Sequence, residues 1–214
     1  MAGTRVKRDA SEFVPDSTEL SRLREASRSC RGCDLYQDAT QTVFGGGPKR
    51  AKVLMLGEQP GDREDREGEP FVGPAGKLLD RALVEAGIDR GEVYVTNAVK
   101  HFKFTRSERG KQRIHKKPSR GEIVACRPWL VAELNAVRPR LVVLLGATAA
   151  SALMGPSFKV TEHRGTLVEA PEEFGGHPEQ ILSTVHPSSV LRAPDRDSAY
   201  AALVADLKAA PAML

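Results

Sequence analysis

The sequence predicts an α/β fold, a three-layer αβα sandwich around a central four-stranded, mainly parallel sheet, and two observations lead there. Four short apolar runs (53–56, 93–95, 141–145 and 181–185) lack the alternation of a half-exposed strand, as strands buried on both faces do. The stretches between them carry helical spacing, and strands alternating with helices imply crossover connections that cover both faces of a parallel sheet. Ligands of such folds bind in the crevice beyond the carboxyl ends of the strands, so the loops at those ends are where function is expected.

In chain order, residues 1–16 are polar and charged and are expected to form a loosely ordered arm ahead of one domain spanning 17–210. A chain of 214 residues can bury one good core. Asp16 or Ser17 is suited to cap a helix over about 19–27, which leads into the pair Cys30-x-x-Cys33. Further helices are expected over 75–86, over 121–137 behind the capping box Ser119-x-x-Glu122, over 147–153 and over 197–209. The segment 102–118 reads as an irregular stretch longer than a compact domain usually carries without a reason, which makes it a candidate active-site loop.

The formal charge of +4 does not argue for a nucleic-acid partner, but its distribution does. Nine Lys or Arg residues fall between Lys100 and Arg120 against the single acid Glu108. Such a cluster can neutralise phosphates and give salt-sensitive, sequence-independent affinity. No apolar segment resembles a signal peptide or reaches membrane-spanning length, so a cytoplasmic protein without membrane contact is expected. Three cysteines are too few for a disulfide framework and read better as metal or redox chemistry. A redox role is weakened because Cys30 and Cys33 lie on no recognisable strand-to-helix turn.

Each strand runs into a loop with functional residue types. The first is followed by Gly57-Glu58-Gln59-Pro60-Gly61-Asp62 and then by 68–76, Gly-Glu-Pro-Phe-Val-Gly-Pro-Ala-Gly; the second ends at Asn97 and the fourth at His186-Pro187-Ser188-Ser189. This set, in this order, resembles the uracil-DNA glycosylase superfamily, nearest its iron-sulfur branch, over roughly residues 20–208. Lys111-Gln112-Arg113-Ile114-His115 is similar to the signature loop of the UdgX group, whose members crosslink to uracil-containing DNA. That loop usually reads Lys-Arg-Arg-Ile-His, and Gln112 replaces its first arginine.

The resemblance implies a site. An enzyme acting on a base flips it into a snug pocket or takes single strands. Phe71 then stacks on uracil and the Asn97 amide reads its polar edge, with Gly57 beside them; read from the residues, Phe71 is as well a core aromatic and Asn97 a turn residue. His186 stabilises the departing uracil anion, His115 attacks C1′ in place of water, and Glu58 and Gln59 support the cationic sugar, orient the histidine or hold the competing water. An isolated His115 would read as a solvent-exposed histidine in a basic loop. Lys100, Lys111, Arg113 and Lys116 are candidate phosphate contacts, while Ser188, Ser189, Leu191 and Arg192 resemble a minor-groove intercalation loop.

The metal set is also carried by the resemblance. Cys30, Cys33 and Cys126 are one ligand short of a four-cysteine cluster, and His101 stands where related proteins place a cysteine after Asn-x-Val-Lys. A structural [4Fe-4S] cluster on Cys30, Cys33, His101 and Cys126 is expected, with zinc held by three cysteines and a histidine as the alternative. The expected protein is a monomer acting on single-stranded or duplex uracil-containing DNA, with uracil as product ligand. It either remains attached through His115 or turns over as a conventional glycosylase; a noncatalytic nucleic-acid-binding module is the reading from another class.

Overall fold

The computed structural model describes residues 9–107, 112–172 and 176–213. In chain order its elements are α1 (Leu20–Ser27), β1 (Val53–Gly57), α2 (Asp62–Glu67), α3 (Pro74–Glu85), β2 (Val93–Asn97), β3 (Phe104–Arg106), β4 (Arg113–His115), α4 (Arg120–Val137), β5 (Leu141–Leu145), α5 (Ala147–Met154), α6 (Val160–His163), β6 (Leu167–Glu169), β7 (Gln180–Thr184), α7 (Pro187–Leu191) and α8 (Arg196–Leu207). The four apolar runs are β1, β2, β5 and β7, and they form the parallel part of the sheet. The sheet has a fifth strand: β6 joins the edge antiparallel to β7, giving the order β2-β1-β5-β7-β6. Its three half-exposed or exposed residues carry no run long enough to distinguish it from loop.

Strand periodicity divides the core into two layers. Val53, Met55, Leu141, Val143 and Leu145 face one side, where Leu79, Leu83, Leu203 and Leu207 of α3 and α8 cover them. Leu54, Leu56, Val142 and Leu144 face the other, against Leu130 and Leu134 of α4 and Ala149, Ala150 and Leu153 of α5. The helices on the two faces complete the three layers. Ser119 caps α4 as its sequence suggests, accepting the Glu122 N–H at 3.3 Å while Glu122 accepts the Ser119 N–H at 2.6 Å.

Three local expectations are corrected. Residues 10–13, placed in the loose arm, form a 3₁₀ turn that packs on α4, with Ala10 buried beside Leu23 and Trp129. Glu19, rather than Asp16 or Ser17, is the residue at the start of α1, without a side-chain cap. The stretch 102–118 is not irregular throughout: β3 and β4 pair as an antiparallel hairpin, with Phe104 opposite His115 and Arg106 opposite Arg113. No helix among the described residues is long and apolar enough to cross a membrane.

Candidate active site

The carboxyl ends of β1, β2 and β7 open onto one cleft of about 490 Å³, lined among others by Glu58, Gln59, Phe71, Asn97, His115, His186 and Arg192. It stands where β1 has β2 on one side and β5 on the other, which is the switch point of the sheet. Gly57, the last residue of β1, is in register with Asn97. A Cβ on Gly57 would stand 2.4 Å from Asn97 Oδ1 and 2.8 Å from the Phe71 ring, so any larger residue there fills the gap between them. Phe71 itself holds a left-handed backbone, φ 59°, uncommon for a bulky residue. Its ring stacks toward His186, with centroids 6.4 Å apart and planes inclined by 27°.

His186 occupies the cap of α7, and its Nδ1 accepts the Ser188 backbone N–H at 3.1 Å. A nitrogen that accepts from an amide carries a lone pair, so the proton of the neutral ring sits on Nε2. Burial pushes the imidazole pKa down to about 4, with Arg192 and His115 acting in the same direction, and keeps the ring neutral at physiological pH. The Ser188 hydroxyl lies 2.8 Å from the same Nδ1, and the Ser189 hydroxyl donates to the His186 carbonyl at 2.7 Å. Both serines, singled out from sequence as DNA contacts, thus brace the histidine. The segment that holds them is the short helix α7, in which Val190 is buried in the core and Leu191 half-buried.

The hairpin delivers His115. Strand alternation puts Arg113 and His115 on its inner face and leaves Ile114, 44% exposed, on the outer one. His115 Nε2 is 3.5 Å from Glu58 Oε1, an approach too long for a good hydrogen bond, and the side chain is 51% exposed. Burial lowers the His115 pKa from its ordinary 6.5, Arg192 adds to that effect and Glu58 opposes it. The other oxygen of Glu58 accepts the Thr148 hydroxyl from α5. Thr148 belongs to no motif and could not be singled out from sequence.

Three residues play parts different from those expected. Arg113 does not point to solvent: its guanidinium binds Asp62 and Asp65, at 2.6 Å to Asp65 Oδ2, and lies 5.3 and 5.0 Å from the Phe102 and Phe104 ring centres. It anchors the hairpin instead of meeting phosphate. Gln59 is likewise occupied, its amide nitrogen donating to the Lys103 and Lys116 carbonyls at 3.2 and 3.1 Å while its oxygen accepts the Lys103 N–H at 3.2 Å. With both amide ends tied to the two roots of the hairpin, it holds the hairpin in place of a water. Lys100 is fully buried and pairs with the equally buried Glu133, donating also to Thr96 Oγ1 at 2.6 Å and to the Asn97 carbonyl at 2.8 Å. A cation enclosed in this way cannot reach DNA. Lys116 and Arg192 are exposed beside the cleft, and Lys111 lies outside the described residues.

Cys30 and Cys126 are buried in one cluster with Trp129, whose indole N–H lies 3.2 Å from Cys30 Sγ, and the Lys100 backbone N–H lies 3.3 Å from Cys126 Sγ. Burial pushes the Cys126 thiol up to about 12, and it raises Cys33 as well, with Cys30 adding to both. His101 is buried, its pKa lowered to about 4, with Nε2 at 3.2 Å from Thr42 Oγ1. Among the described residues no three His, Cys, Asp or Glu side chains close to the spacing of a bound ion. The donor types nonetheless suit a thiolate-held centre, since buried sulfurs that receive N–H donors are those whose ionised form is supported.

Comparison with known proteins agrees with this geometry. The sequence pattern of the Uracil DNA glycosylase superfamily matches residues 44–208. A type-4 uracil-DNA glycosylase of Pyrobaculum aerophilum is 34% identical over 178 residues, 82% of this chain and 86% of that protein. Proteins of the same description from Archaeoglobus fulgidus, 34% identical over 80% of this chain and 83% of the relative, and from Thermotoga maritima, 35% identical over 79% and 82%, are similar. With the matched segment running from before β1 to the end of α8, and with the cleft built from loops inside it, the chain belongs to the uracil-DNA glycosylase superfamily.

Proposed function

We propose that the protein excises uracil from DNA and then remains joined to the emptied deoxyribose through His115. Excision is the coarser part, supported by the family and by the cleft. Phe71 forms the stacking wall, the Asn97 amide reads the polar edge of uracil and His186 donates its Nε2–H to the uracil oxygen that gains charge. Attachment is the finer part, and the observation that carries it is His115 Nε2 facing Glu58 across 3.5 Å at the mouth of the cleft.

In this reading the C1′–N1 bond breaks with its electron pair leaving on uracil, and the Nε2 lone pair forms the new bond to C1′. The alkylated imidazolium then gives up its Nδ1 proton to solvent. Glu58, held by Thr148, balances the positive sugar before the bond closes. The Gln59 and Arg113 anchors keep the ring in place at high effective concentration, which favours it over passing water. The decisive experiment is a denaturing gel of the protein incubated with a uracil-containing oligonucleotide. A slow-migrating adduct in stoichiometric amount is expected, and free uracil with unmodified protein overturns attachment. That second outcome is the conventional glycosylase, the reading favoured by the names of the relatives.

The nucleophile must be neutral, which gives a sign to the pH dependence. Because the His115 pKa is lowered below 6.5, the lone pair is present at neutral pH and is lost as pH falls through the lowered value. The single-turnover attachment rate is expected to be level at and above neutrality and to fall on acidification. Arg192→Ala, removing a neighbouring positive charge, moves that inflection upward. A rate that keeps rising above neutrality contradicts the assignment.

Cys30, Cys33, Cys126 and His101 are proposed to hold a [4Fe-4S] cluster, with N–H donors from Trp129 and Lys100 directed at two of the sulfurs. When bound, such a centre supplies crosslinking between segments far apart in the chain. Here those are the turn after α1, the end of β2 and α4. Purified protein is expected to be brown with a broad band near roughly 400 nm, and Cys126→Ser to lose it together with thermal stability. Stoichiometric zinc in place of iron and sulfide selects the other centre.

A further inference from the structure

One buried carboxylate at the cleft has no part in the chemistry above. Glu64 of α2, 8% exposed, lies on the wall of the cleft between its two glycine-rich loops. Its Oε2 accepts the Gly61 N–H at 3.1 Å and its Oε1 accepts the Gly73 N–H at 2.8 Å. Those glycines are the residues preceding α2 and α3, so a single side chain satisfies the leading amides of two helices. A Cβ at either glycine would push the carboxylate from this position, standing 2.6 Å from it at Gly61 and 2.8 Å at Gly73.

Gly73 lies two residues beyond Phe71, the residue with the left-handed backbone. On the other side, a Cβ at Gly76 would stand 1.7 Å from the Phe71 carbonyl oxygen, so α3 sits directly against that strained residue. A backbone in such a conformation persists only where its surroundings hold it. Glu64 fastens the Phe71 loop to the loop after β1 from the wall of the same cleft.

We infer that Glu64 is a positioning residue for uracil, setting the Phe71 ring at the distance and tilt needed to stack on the base. The inference rests on the reading of Phe71 as the stacking wall. Glu64→Gln keeps one acceptor but presents an NH₂ group to the second amide, so one of the two ties is lost with little change in size.

The test is single-turnover uracil loss at saturating DNA, a step common to attachment and to hydrolysis. Alongside it are measured inhibition by free uracil, affinity for uracil-free oligonucleotide and a cycle with Phe71→Leu. Glu64→Gln is expected to slow uracil loss roughly tenfold, one hydrogen bond to a charged group, and to weaken uracil inhibition comparably, with affinity for uracil-free DNA unchanged. Placed on Phe71→Leu it adds little further loss, because it acts through that ring. The inference is overturned if Glu64→Gln lowers the melting temperature but leaves uracil loss and uracil inhibition intact, or if its effect adds in full to that of Phe71→Leu. Phe71→Leu acting with wild-type rate and uracil inhibition instead defeats the stacking reading itself, a result separable from both.

Discussion

His115→Ser protein mixed with uracil-containing oligonucleotide leaves no slow-migrating band on a denaturing gel, and free uracil appears in its place. The expected fall in adduct is at least two orders of magnitude, roughly the advantage lost when a positioned nucleophile is removed. Excision survives because the groups assigned to it, Phe71, Asn97 and His186, do not include His115. A serine is short enough to leave room for water near C1′, and Glu58, still held by Thr148, faces that space. The variant should therefore turn over. An adduct that persists assigns the nucleophile elsewhere, with Glu58 the next group to examine.

Lys100→Ala costs about 3–5 kcal/mol of folding free energy, the range for removing one partner of a buried ion pair. The loss is large because Glu133 remains enclosed, with the Gly45 N–H at 2.9 Å and the Tyr94 hydroxyl at 3.0 Å but no opposite charge. Urea unfolding of the two proteins measures it. Adding Glu133→Gln to Lys100→Met recovers much of the deficit, since the amide oxygen can keep accepting from Gly45 and Tyr94 while the stranded charge is gone. A loss below about 1 kcal/mol would mean that water reaches the pair.

Lys100 also shows where reading from sequence stops. In the chain it is one of nine cations in a basic segment, indistinguishable by type from exposed Lys116. What separates them is Glu133, 33 positions away on the face of α4 that packs against β2. Arg113 differs from its neighbours in the same way, through Asp62 and Asp65 about 50 positions earlier. The spacing Gly61-x-x-Glu64 does have the form of a helix-start signal and could have drawn attention to Glu64, but its bond to Gly73 has no local signature. The hairpin was hidden because three-residue strands with exposed faces carry little periodicity.

By itself the amino-acid order determined the four buried strands, the longer helices α1, α3, α4, α5 and α8 and the set of loops that bear Glu58, Phe71, Asn97 and His186, but not the short helices α2, α6 and α7. Those features are written in neighbouring residues: runs of apolar side chains, a capping box, glycine-rich turns at strand ends. Tertiary structure alone decided that the edge strand β6 joins the sheet, that Lys100 and Arg113 turn inward, that Gln59 and Glu64 tie loops together and that Thr148 holds Glu58. The physical reason is that a polar side chain meets solvent or a partner according to what the folded chain brings beside it, and those partners lie far away along the sequence.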